Sequence, residues 1–211
     1  MGEIKEIPFE EEQKEPEKAD SKSALIILLV IVAFIALFFL VMKIRSGEHT
    51  RVYNGFTFVE TDGIWQTQWQ REGQTYVLDF RHTPDEVETV SIIGKTDNRF
   101  QLENTYLTFD PQEDRTKETA YLAVAAAELS RKLVTPFERN VTAACTRNET
   151  TACADRDTVT CESTNSTVLY LRQAEPAQVE LRGNCVIFQG NHEDLVRAVD
   201  KALFQWLGIM K

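Results

Sequence analysis

The chain has 211 residues, 43% of them apolar and 27% charged, which is the range of an ordinary globular protein of one or two compact units. Its formal net charge is −10, of which residues 46–211 carry −8, with 17 Lys/Arg against 25 Asp/Glu. Nucleic acid and anionic lipid surfaces are bound by clustered Lys/Arg, so this balance argues against both as partners.

Residues 1–23, "MGEIKEIPFEEEQKEPEKADSKS", hold eight acids and four lysines and few large apolar side chains. They read as a disordered acidic cytoplasmic tail. Residues 24–42, "ALIILLVIVAFIALFFLVM", contain no polar side chain. At about 1.5 Å per residue, these nineteen residues make a helix of roughly 28 Å, so the sequence predicts a transmembrane helix with the lipid bilayer as its partner. A cleaved secretory signal has a basic leader and a shorter apolar region of about 7–15 residues, so an uncleaved signal anchor fits better. Residues 43–51 form a juxtamembrane linker.

Lys14, Lys18 and Lys22 balance Lys43, Arg45 and Arg51, so Lys/Arg bias leaves the orientation open. Two other signals set it. N-x-[ST] triplets occur at Asn140, Asn148 and Asn165, which makes these the glycosylation candidates. All four cysteines, Cys145, Cys153, Cys161 and Cys185, lie after the apolar segment. An even number in one segment suits an oxidising compartment. The expectation is a single-pass cell-membrane protein with its N-terminus cytoplasmic and residues 52–211 extracytoplasmic.

Within 52–211 the strand signals come first. "VYNGFTFVE" alternates, Asp62-Gly63 marks a tight turn, and "IWQTQWQ" places Trp65 and Trp69 on one face. Glu72-Gly73 turns the chain into "QTYVLDFRH", where Tyr76, Leu78 and Phe80 share a face. "VETVSIIG" and "RFQLENTYLTF" read as further strands, so residues 52–110 are expected to form an antiparallel meander. Residues 111–211 are expected to supply a helix, a Cys-rich loop, strands and a second helix. The first helix, over 117–134, is capped by Asp114 or Thr116 and has a stripe of Leu122, Ala126, Leu129 and Leu133. Strands follow on either side of Glu175-Pro176. Asn191 caps a final helix striped by Leu195, Val199, Ala202, Leu203 and Trp206. The fold class expected is α+β: one N-terminal transmembrane helix, then a mainly antiparallel sheet with two packed helices.

The cysteine spacings are eight, eight and twenty-four. Structural zinc sites use a C-x(2–4)-C or H-x(3–5)-H pair, and thiol oxidoreductases use C-x-x-C, so neither metal nor redox chemistry is indicated. Disulfides remain. Local loop closure favours Cys145–Cys153 and Cys161–Cys185 among the three connectivities that four cysteines allow. No catalytic residue, cofactor site or metal site is assigned. His82 beside Asp85 and Glu86 is read as a surface histidine at a turn, and the pairs Glu86/Glu88 and Glu193/Asp194 as solvated acids. No nucleotide-binding, zinc-protease or hydrolase motif is present.

The stretches "YNGFTF", "YVLDFRHTPDEVE" and "VTCESTNSTVLYLRQ…VELRGNCVIFQG" resemble uncharacterised archaeal single-pass membrane proteins with a small extracytoplasmic domain. The resemblance implies an archaeal cell membrane and an outward-facing domain, and it assigns no site residue. The functional expectation is a membrane-anchored extracytoplasmic interaction or structural protein, disulfide-stapled and N-glycosylated, with a protein or glycan partner outside. Two alternatives stand beside it. One is a pilin-like surface subunit cleaved before Ala24, and the other is a membrane-tethered ectoenzyme.

Overall fold

The computed structural model describes residues 21–45, 49–101, 103–113 and 119–211. Residues 1–20 of the expected cytoplasmic tail, 46–48 of the linker and the Asp114/Thr116 cap lie outside the described residues. The chain divides into two compact units, Met1–Gly47 and Glu48–Lys211.

The first unit contains helix α1, Ser21–Arg45. The expected transmembrane helix is corrected here: among the described residues no helix is long and apolar enough to cross a membrane.

The second unit begins with a four-stranded antiparallel sheet in the order β1 (Thr50–Tyr53), β2 (Phe56–Thr61), β3 (Ile64–Arg71) and β4 (Gln74–Phe80). Its three connections are two-residue turns: Asn54-Gly55, Asp62-Gly63 and Glu72-Gly73. Each has positive φ at both positions, from 46° to 85°. That geometry matches the strand twist and needs a residue tolerant of the left-handed region followed by glycine.

Side chains alternate across this sheet. Phe58, Thr67 and Leu78 form one buried row, and Trp65 stands opposite Phe80. Trp69, beside Tyr76, donates from Nε1 to the Leu207 carbonyl at 2.9 Å. The two tryptophans are thus half-buried core aromatics. The outward face carries Thr50 and Val52 from β1, with Thr57, Val59 and Thr61 from β2. Ile64, Gln66, Gln68 and Gln70 from β3 continue it, and Thr75, Val77 and Asp79 from β4 complete it.

The remaining strands are β5 (Ser91–Thr96), β6 (Asn104–Phe109), β7 (Asn140–Cys145), β8 (Asp157–Thr158), β9 (Thr167–Arg172), β10 (Gln178–Gly183) and β11 (Cys185–Gln189). They form one sheet in the order β5-β10-β11-β9-β6-β7-β8. This corrects the expectation of a mainly antiparallel sheet. Only β10 and β11 pair antiparallel, while the other five pairings are parallel. It also ends the expected meander at β4, because β5 and β6 belong to this second sheet. Parallel neighbours need long crossovers. Helix α2, Thr119–Val134, provides one between β6 and β7. β5 pairs with β10, far away in sequence, and the contact is close: a Cβ on Gly94, whose φ is +82°, would stand 2.1 Å from the Leu181 carbonyl oxygen.

Helix α3, Glu193–Trp206, follows β11. Its expected cap is also corrected. The residue before the helix is His192, with φ of 52° and no side-chain capping bond, while Asn191 contributes its carbonyl to the Asp194 N–H at 3.0 Å.

The main core lies between α2, α3, the inner face of the four-stranded sheet and one face of the seven-stranded sheet. Leu169, Leu171, Val186 and Phe188 belong to it, together with Phe58, Phe80 and Phe204, whose rings lie 4.4–6.4 Å apart. The alternate residues Val168, Cys185 and Ile187 face the other way, into a smaller cluster with Ala144 and Val159. Among the described residues, every buried core residue and both disulfides lie within Glu48–Lys211, so this unit has a core of its own, as a domain able to fold alone requires.

Candidate functional site

The cysteine segment covers the second face of the seven-stranded sheet. Cys145 ends β7 and pairs with Cys153 in a short 3-10 turn, Thr151–Cys153. Cys161 pairs with Cys185 at the start of β11, with Cα atoms 5.4 Å apart. No cysteine is free. The second bond holds the chain after β8 over Val168 and Ile187. Buried Asn184 adds to the hold, donating to the carbonyls of Thr164 and Ser166 at 3.0 and 2.7 Å. The three sequon asparagines, Asn140, Asn148 and Asn165, are all exposed.

A hollow of about 260 Å³ lies against this loop, lined in part by Arg147, Cys161, Tyr170, Arg172 and Arg182. Its charges are already balanced. Arg147 meets Asp110 at 2.8 Å, and Glu180 takes Arg182 at 2.6 Å and Arg172 at 3.7 Å. Tyr170 donates to Glu113 at 2.9 Å. Burial, then the Glu113 charge, pushes the phenol above its ordinary range. Burial also raises Glu113, against the opposing N–H of Gln173 and hydroxyl of Tyr170.

The second cluster centres on His82, and here the sequence expectation is corrected. His82 is 3% exposed and not a surface residue. Asp85 and Glu86 are not its partners. Glu86 instead accepts from the Thr83 N–H at 2.7 Å and the Thr83 hydroxyl at 3.0 Å. His82 Nδ1 lies 2.9 Å from Asp200, whose carboxylate also accepts the His82 backbone N–H at 3.2 Å. Nε2 lies 3.0 Å from Glu193, so that residue is more than a solvated acid. Asp200 is fully buried. Beside it on α2, buried Glu128 pairs with buried Lys132 and with Arg131 and Arg81 at the rim. Lys132 also stands 4.5 Å from the Phe80 ring centroid.

Burial lowers the affinity of His82 for its proton, but the hydrogen bonds and charges of Asp200, then Glu193, outweigh it and raise the pKa. Burial raises Asp200 as well. Glu128 adds to that shift, and His82 and Lys132 oppose it. Both shifts have the same direction, so the pair holds its proton to higher pH than either group alone, and each His82 ring nitrogen faces a carboxylate. A general base needs a free lone pair and a nearby hydroxyl or thiol to act on. Both nitrogens are occupied by carboxylates, so the cluster is a clasp joining the segment after β4 to α3. Among the described residues no group of three or more His, Cys, Asp or Glu is placed to hold a metal ion.

A definite pH dependence follows. A raised histidine pKa contributes stability below the unfolded value of about 6.5, and this is lost as pH climbs through the folded value. The raised Asp200 and Glu113 carboxyls have the same sign at lower pH, since the folded state binds more protons. The urea midpoint should fall as pH rises from about 6.5 towards 9, and His82→Gln should flatten that fall. A wild-type midpoint that rises over this interval contradicts the assignment.

The signal for Asp200 was present in the sequence. It stands four residues after Val196 and four before Phe204, a core-facing position of α3 held by an acid. Glu128 and Lys132 share one such face of α2. No family model, curated protein or solved structure matches the chain.

Proposed function

We propose that residues 49–211 form an extracytoplasmic interaction or structural domain whose disulfides keep its loop face in a fixed shape. The observation that carries this reading is the pairing of all four cysteines in two disulfides that fasten one loop to the sheet. Disulfides of this kind persist in oxidising compartments. The exposed positions of Asn140, Asn148 and Asn165 support glycosylation of the same domain. Against an ectoenzyme stands the full occupation of both His82 nitrogens by carboxylates. The reading rests on the stapled domain and requires no membrane-spanning helix.

The test is thiol alkylation of the protein in intact cells, before and after a reductant. The expected result is no alkylation of the four cysteines without reductant and labelling of all four after reduction and denaturation. Free thiols in untreated cells overturn the proposal. A mass increase at the three sequons, removed by a glycan-releasing treatment, tests the glycosylation.

A further inference from the structure

The outward face of the β1–β4 sheet is unlike the rest of this acidic domain. Asp79 is its only charged residue, at the edge, and Arg131 lies 3.5 Å away. Among the described residues of the folded domain, the two most exposed large apolar side chains are Val52 at 69% and Val77 at 61%, and both stand on this face. They belong to neighbouring pairs, with Val52 opposite Thr57 and Gln68 opposite Val77. Val59 and Gln66 form the next pair. The centre of the face is a hollow of about 770 Å³. Trp65 and Trp69 alternate to the opposite side of the sheet, where they pack against the core.

From this arrangement we infer that the face is a self-association surface, and that its occupant is the same face of a second copy of this chain. The charge distribution selects that occupant. A charged partner finds no complement on a face of threonine, glutamine and valine. Two copies that each carry −8 over residues 46–211 repel each other generally, and this face is where they meet without juxtaposing like charges. Glutamine is self-complementary, since each amide both donates and accepts. The shape agrees as well. A twisted sheet is a saddle, and a saddle turned over by a two-fold axis matches itself, which is the isologous arrangement of a symmetric dimer. Sheets meeting face to face pack about 10 Å apart.

The area sets the strength. Four strands at ~4.8 Å spacing and about seven residues at ~3.3 Å give roughly 440 Å² per copy. That is less than about 1,000 Å² in total, the size of a weak, concentration-dependent contact. Repulsion between the acidic copies opposes it, so added salt strengthens it, whereas salt weakens an ionic interface.

This inference rests on the interaction reading above and names its partner. The experiment is sedimentation velocity of residues 48–211 with the disulfides intact, over a range of protein and salt concentrations. The expected result is a mass that climbs towards twice the monomer value with concentration, at lower protein concentration when salt is high. Gln68→Lys and Val77→Lys, each exposed and each placing a cation on the face, should weaken association at least tenfold with unchanged urea midpoints. A wild-type domain that stays monomeric at all concentrations overturns the inference, as does undiminished association of both variants. Either result leaves the compartment proposal standing, and free thiols in cells would leave the dimer standing.

Discussion

Asp200→Ala should lower the unfolding free energy by about 3–5 kcal/mol, the usual cost of removing one partner from a buried ion pair. The reason is what the substitution leaves behind. His82, buried at 3% exposure, loses the carboxylate at Nδ1, and its backbone N–H loses its acceptor as well. A buried donor without a partner costs about 1–3 kcal/mol by itself. Glu193 cannot replace the lost charge, because it meets the other nitrogen and its side chain is 62% exposed. Replacing both partners with leucine should cost clearly less than Asp200→Ala, since apolar residues leave no orphaned charge. Urea unfolding of the two single variants and the double variant measures this. A double variant as unstable as the sum of the singles would show that His82 and Asp200 act separately.

The second large effect concerns the staples. Replacing Cys161 and Cys185 by alanine releases a closure spanning 24 residues, worth about 3.5 kcal/mol by chain entropy. The Cys145–Cys153 closure spans 8 residues, and its loss should cost about 2.5 kcal/mol. Packing widens the gap. The longer bond holds the cover over Val159, Val168 and Ile187, whereas the shorter one closes a turn at the end of β7. Hydrogen exchange should therefore rise first at the amides of 168 and 187 in the Cys161/Cys185 variant, with α2 and α3 still protected. Equal or greater destabilisation by removing the shorter bond would contradict this account.

The clasp and the staples act on different joints of the same unit. The His82–Asp200 contact ties the four-stranded sheet to α3, and Trp69 and Asn54 reinforce that joint by donating to the carbonyls of Leu207 and Ile209. The disulfides tie the loop to the opposite face of the larger sheet. Neither contact lies on the outward face of β1–β4. A copy docking there changes neither the titration of His82 nor the loop, so the pH dependence and the dimerisation should be separable in solution.

What the sequence determined alone was local. Alternation, together with Asn54-Gly55, Asp62-Gly63 and Glu72-Gly73, specifies the hairpins of β1–β4, because each needs only neighbours in the chain and a residue tolerant of positive φ. The stripes of α2 and α3 followed from helical period, and loop closure pointed to the disulfide pairs. Tertiary structure decided what joins distant segments. The fully buried run Cys185–Gln189 marks a central strand, but periodicity cannot say which strands flank it or in which direction. Register with β9 and β10 answered that, and it made the sheet mixed. The helix α1 carries the most conspicuous composition in the chain, yet composition gave no account of it that the described residues sustain. The clasp was the least legible feature. His82 and Asp200 are 118 positions apart, and an acid on an apolar stripe announces only that it needs a partner. Burial makes a partner obligatory, because an unpaired charge in the core is too costly to keep, but only the packing of α3 against β4 determines which residue it is.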